Sequence, residues 1–233
     1  GQTNNAYDGK GGVVIGNMAQ RLMFAVRYQE PNILLSNQIQ QGARILYDRD
    51  PAVRVKKVAP WLTLDSDPYP TVVDGRIVWV VDGYTTSDSY PYAARISLGD
   101  ATADSVNAQD SAAQIASGDI TYIRNAVKAT VDAYDGSVHV YAWDESDPVL
   151  KSWSKAFPGV VEPRSAMPEG VVAHVRYPED MFKVQRDVLA KYHVSDAQAF
   201  YSGQDFWIVP DDPTKPTLKQ AQPPYYLNLQ MPD

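Results

Sequence analysis

Asp74-Gly75 sits between Thr71-Val72-Val73 and Arg76-Ile77-Val78-Trp79-Val80-Val81, which leaves the chain few conformational options there. Asp-Gly between β-branched runs favours a two-residue type I′ turn, because both central residues must take positive φ. The return run from Ile77 to Val81 lacks polar alternation, so it predicts a strand covered on both faces and central in a sheet. A second Asp-Gly, Asp82-Gly83, is expected to end that strand. It would release Tyr84, Thr85, Thr86, Ser87, Asp88, Ser89, Tyr90 and Tyr92 as a polar, aromatic loop. A third, Asp135-Gly136, predicts another hairpin, with Val131 opposite Val140 and Asp132 opposite His139. One face of that hairpin carries Ala129, Val131, Ala133, Val138, Val140 and Ala142, small enough for a helix to approach closely. The other is amphipathic.

The spacing of Met18, Leu22 and Val26 predicts a helix from Asn17 to about Tyr28, closed before Pro31. A second helix is expected after Ser36-Asn37, with Ile39, Ile45 and Leu46 inward. Asp50-Pro51 and Asp147-Pro148 each read as a capped helix start. Pro178-Glu179-Asp180 opens another, with acidic residues where the helix dipole favours them. Residues 99–118 read as a mobile surface loop, with a short helix around Asp110 to Ile115. Phe200 to Val209 reads as a hairpin, Pro210 to Pro224 as extended chain and Tyr225 to Met231 as a terminal strand. The expected fold is one α+β domain over residues 1–233, mainly helical through residue 64. From residue 65 it becomes a mostly antiparallel sheet built from Asp-Gly hairpins and covered by helices.

The 233 residues carry a formal charge of -7 with a pI near 4.9. That balance argues against a nucleic-acid surface and against adsorption to anionic lipid through basic patches. Cysteine is absent, which excludes disulfides, thiolate metal sites and cysteine nucleophiles. No apolar run approaches the ~20 residues that span a bilayer. The ends, Gly1-Gln2-Thr3-Asn4-Asn5 and Tyr225 to Met231, read as cut edges of something longer.

Motifs for chemistry are sparse. Asp8-Gly9-Lys10-Gly11-Gly12 places its lysine before the glycine pair, unlike a phosphate loop. Asp65-Ser66-Asp67 has the spacing of a metal-carrying pair, but also of Asx turn chemistry, which is favoured because no further ligand spacing supports a metal. His139, His174 and His193 are read as structural. Asp144-Glu145-Ser146-Asp147 crowds carboxylates at a strand end, as calcium sites and acid-base pairs do, yet Asp147 is already a helix cap. No catalytic residue, metal or cofactor is assigned. The candidate binding surface joins Tyr84, Thr85, Thr86, Ser87, Asp88 and Tyr90 to Asp144 and Glu145 at one sheet edge, where rings, hydroxyls and carboxylates would suit a glycan. The alternative is that these hydroxyls satisfy their own turns while the tyrosines pack on the sheet.

The phrases PWLTLDSDPYPTVVDGRIVWVVDGYTTSDSYPY, YIRNAVKATVDAYDGSV, WDESDPVLKSWSKAFPG, RYPEDMFKVQRDVLAKYHV and FYSGQDFWIVP together resemble the bacterial uncharacterised protein family 0182. The likeness runs from about Tyr7 to Met231 and is weakest over residues 99–118. Members of that family are large membrane proteins in which transmembrane helices precede a long region outside the cytoplasmic membrane. The resemblance therefore implies part of that extracytoplasmic region, at the cell membrane through a segment outside this chain. It implies no activity, so no catalytic residue is transferred. The leading expectation is a binding or structural module that recognises an envelope component or a protein partner. The rival is a hydrolase of an envelope glycan or peptide using carboxylates near Asp82, Asp88 and Asp144, and a homo-oligomeric spacer is a third reading.

Overall fold

The computed structural model describes residues 7–37, 39–40, 42–105, 118–227 and 229. In chain order, β1 (Val13–Val14), α1 (Met18–Tyr28), α2 (Asn32–Leu35) and β2 (Arg44–Ile45) form a small outer unit in which β1 pairs antiparallel with β2. Then come α3 (Pro51–Val58), β3 (Thr63–Leu64), β4 (Tyr69–Val73), β5 (Arg76–Ser87), β6 (Ile96–Ser97), α4 (Leu98–Thr102) and β7 (Asp119–Ile120). They are followed by β8 (Tyr122–Asp132), β9 (Val138–Ala142), α5 (Pro148–Ala156), α6 (Glu169–Val172), α7 (Glu179–Tyr192) and α8 (Ala197–Ser202). The fold is α+β with antiparallel sheets.

Asp74 and Gly75 both take positive φ, 51° and 75°, and Val73 pairs with Arg76, so the first hairpin closes through the expected tight turn. β5 is central: β3 and β4 pair with it on one side and β8 on the other, with β9 beyond β8. The strand does not stop at Asp82-Gly83, however. It continues to Ser87, because β8 offers ladder partners as far as Tyr122. Gly83 serves close packing instead, since a Cβ there would lie 3.2–3.3 Å from Leu62 and Val127.

The second hairpin forms in a different register. Val131 pairs with Val138 and Thr130 with His139, and the Asp132 amide donates to the Ser137 carbonyl. Residues 133–136 therefore form a four-residue loop. The Asp132 carboxylate accepts from the Tyr134 and Asp135 amides, and Asp135 accepts from Ser137. These local bonds outcompete the two-residue turn. Because the slip is two residues, an even number, each side chain keeps its face. Ala129, Val131, Val140 and Ala142 still form an apolar face, which packs with Val55 and Ala59 near α3, Leu62, and Leu150 of α5. The opposite face holds Tyr69, Val80, Tyr141, Met167 and Val171.

Both Asp-Pro helices are capped as expected: Asp50 accepts from the Val53 amide and Asp147 from the Leu150 amide. α1 begins with a reciprocal Asn17–Gln20 capping box and ends at a left-handed Gln29. The helix expected after Ser36 is not found among the described residues. The short helix there is α2, which starts just after Pro31, a residue suited to a helix start, and Ile45 belongs to β2. The hairpin expected over Phe200 to Val209 is replaced by α8, capped by Asp196 and closed by a left-handed Gly203. Tyr225, Tyr226 and Leu227 are not in a strand. Leu98 to Thr102, in the expected loop, is helical, with Thr102, Asp104 and Ser105 buried, and the helix expected around Asp110 to Ile115 lies outside the described residues.

Candidate functional site

A bulge sets up the site. Gly83 pairs with Val127 but Thr85 pairs with Arg124, so Asn125 and Ala126 together oppose Tyr84. An extra residue in one strand inverts the side-chain alternation beyond it. Ala126 joins the apolar core, while Ile123 and Asn125 move to the face that carries Lys128. On that face β8, the end of β9, the turn at Arg164 and the segment entering α7 enclose a cleft of about 840 Å³.

The cleft collects cations on a chain that is acidic overall. Lys128 lies directly across the ladder from Asp82, and both are almost fully buried, at 1% and 3% side-chain exposure. The Lys128 ammonium donates to Asp82 and to the Arg176 carbonyl (3.2 Å). Asn125 adds a 3.0 Å bond to the same Asp82 oxygen. Burial raises the Asp82 pKa, and Lys128 and Asn125 partly offset that rise. Trp143 is the shared platform: its ring centre is 5.1 Å from the Lys128 nitrogen and 4.0 Å from the Arg164 guanidinium carbon. Arg176 lies 4.6 Å over Tyr69 and 5.5 Å over Tyr226, and its backbone amide donates to the Tyr69 hydroxyl. Among the described residues, neither Arg164 nor Arg176 has a carboxylate within ion-pair distance. Arg124 has Asp144 at 4.0 Å. Guanidinium groups held over rings can still offer donors to a planar or tetrahedral anion.

The residues singled out from the sequence are distributed around this cleft. Asp144 lines its rim, held below the usual carboxylate range by the Ser146 hydroxyl. Glu145 accepts from the Arg164 amide (3.0 Å) and so anchors the turn that carries the guanidinium. Asp147 is buried away from the cleft, where it caps α5 and accepts from Thr85 and Tyr122. Thr85 and Asp147 thus do meet. Tyr84 shares the face of Asp82 but is fully buried at the base of α7, donating to Asp65. Thr86 is half-buried beside Thr63, Ser87 accepts from the Ser89 amide, and Asp88 holds the Ser89 hydroxyl. Tyr90 is exposed and stacks on Tyr122. Of Asp82, Asp88 and Asp144, Asp144 alone lines the cleft. His139 pairs with Glu162 rather than Asp132, because the hairpin slip carries it past that residue, and Asp132 binds Arg76 instead. His174 contacts the Gly170 carbonyl and His193 the Leu189 carbonyl. In the glycine-rich segment, the Lys10, Gly11 and Gly12 carbonyls converge on Arg44.

A second charged cluster lies at the start of α7. Asp65 performs the expected Asx bond to the Asp67 amide, but its other oxygen accepts from Tyr84 and from the Asp180 amide. Tyr84 in turn receives the Met181 amide, so residues distant in sequence cap α7. Burial, then repulsion from Asp180, pushes the Asp65 pKa up to about 7. Lys183 is fully buried with Asp104 at 2.6 Å, Glu179 at 2.8 Å and Asp180 at 3.3 Å. Burial alone would lower its pKa, but these carboxylates hold it above the ordinary value.

The model of an uncharacterised protein family, UPF0182, matches residues 1–233. The chain belongs to UPF0182. A UPF0182 protein of Kineococcus radiotolerans is 55% identical over 239 residues, covering 100% of this chain and 24% of the relative. Those of Frankia alni and Streptomyces coelicolor are 57% and 53% identical, covering 100% of this chain and 22% and 23% of the relatives. The chain thus spans about a quarter of the length of these curated UPF0182 relatives. No solved structure matches it. The function of UPF0182 is unknown, and among the described residues no helix is long and apolar enough to cross a membrane.

Proposed function

We propose that this chain is an extracytoplasmic binding module of a bacterial membrane protein, and that the cationic cleft receives an anionic group of the cell envelope. One observation carries the reading. Arg164 and Arg176 stand at the cleft on aromatic supports without carboxylate partners among the described residues, beside the buried Lys128. Charged donors fixed by rings and second contacts lose little freedom on binding, which favours an anion over a neutral ligand. The carboxyl with the most displaced printed value, Asp65, is 4% exposed and bonded into the base of α7, and the cleft itself gathers cations. This supports binding over acid-base hydrolysis. Asp144 at the rim would accept hydroxyls of a glycan bearing the anion.

Calorimetric titration with glycerol phosphate tests the site. Saturable binding is expected, with loss in Arg164→Glu and in Arg176→Glu; no binding by the folded wild type refutes it. Placement is tested separately in the full-length protein. Tyr201→Cys, at a position 94% exposed, should gain labelling by a membrane-impermeant maleimide in intact cells over the unsubstituted protein.

A further inference from the structure

The cationic cleft does not end at α7. A second hollow of about 550 Å³ runs between α7 and the β6–β7 ribbon, and it shares Ile123, Met181 and Gln185 with the cleft. Its walls include Ile96, Ile120, Val184, Val188 and Leu189. Both volumes fall in the range of ligand sites, roughly 300–1,000 Å³. The two adjoining hollows therefore present a cationic, ring-lined end and an apolar end. The β8 bulge joins them, because it turns Ile123 onto the face of Lys128. Polarity divided this way complements a molecule divided the same way.

We infer that the joined cleft and groove form one site for an anionic phospholipid. The phosphate would lie at Arg164 and Arg176, near the buried Lys128–Asp82 pair, and an acyl chain would lie along Val188 and Leu189 of α7. The inference rests on the proposed anion site and names its ligand class. Arginines spread around an 840 Å³ cleft accommodate a substituted phosphodiester, and guanidinium groups match phosphate oxygens in pairs. The overall charge of -7 opposes adsorption of the whole surface to an anionic bilayer. The site would thus take single lipid molecules from solution or from the bilayer edge, without lying flat on the membrane.

The test uses monoacyl phosphatidylglycerol with a sixteen-carbon chain, below its micelle-forming concentration, against the glycerol phosphate head alone and against monoacyl phosphatidylcholine. Wild type should bind the anionic lipid at least about tenfold more tightly than either comparison ligand. Val188→Asp should remove the gain from the chain while leaving glycerol phosphate affinity unchanged. Leu189→Gln, at a 56% exposed position, should reduce the same gain if Val188→Asp fails to fold. Arg164→Glu should weaken the lipid and its head together. If the head binds as tightly as the whole lipid, or the groove variants change nothing, the lipid inference is overturned while the anion site stands. Equal affinity for the choline lipid also overturns it. If neither head nor lipid binds, both readings fall.

Discussion

Two buried lysines, Lys128 and Lys183, resolve the same problem in different ways. Lys183, fully buried, is ringed by Asp104, Glu179 and Asp180, and the Tyr84–Asp65 pair stands next to Asp180 at the foot of α7. Lys128 has one carboxylate, Asp82, one backbone carbonyl and the face of Trp143, and it lines an open cleft. A buried charge is tolerated where partners compensate its lost hydration. Excess carboxylates at Lys183 make that group a closed fastener between α7 and the segment after α4. At Lys128 the single carboxylate balances the amine, so the positive charge that the cleft presents comes from its arginines, Arg164 and Arg176 among them.

Removing the Lys183 amine should therefore cost most. Lys183→Met would remove the cation shared by three carboxylates, and a loss of about 3–5 kcal/mol is expected in urea unfolding. A smaller loss would break the contrast. Lys128→Met should cost less, roughly 2–3 kcal/mol, because Asp82 keeps the Asn125 bond and can take up a proton. It should also weaken anion binding.

The Asp65 cluster gives a pH signature whose window can be placed. The folded state holds the Asp65 proton to about pH 7, against 3.8 for a free side chain. Between those values the folded protein binds more protons than the unfolded chain, so raising the pH removes stability. Thermal melts of Asp65→Asn should gain on wild type as pH rises through this window and run parallel above it. A difference that is flat from pH 4 to 7 would refute the raised value. The smallest stability change is expected for Arg164→Ala combined with Arg176→Ala, within about 0.5 kcal/mol by urea titration, despite loss of anion affinity. A large destabilisation would make those arginines part of the scaffold.

Legibility from the sequence followed the range of the interactions. Asp74-Gly75, Asp50-Pro51 and Asp147-Pro148 act within four residues, and the turn and both caps form as read. Asp135-Gly136 was the same kind of signal, but the Asp132 carboxylate competes for the turn amides and lengthens the loop. The face pattern survived because it repeats every second residue. For Asp82-Gly83, pairing with β8 overrode the local turn preference. The hairpin expected at Phe200 lost to the Asp196 cap and Gly203, a start and stop pair that could have been recognised. The cleft had no local signal, since its cations are scattered from Arg124 to Arg176, and a strong charge of the opposite sign masked them.

The sequence by itself determined the Asp74-Gly75 reversal, the Asp-Pro helix starts and which hairpin positions are apolar, because each depends on neighbours a few residues away. Tertiary structure decided where the ladder slips and bulges, and with it which side chains share a face. It also brought Arg164 and Arg176 beside Lys128, because strand pairing and the docking of α7 join residues that chain order keeps apart.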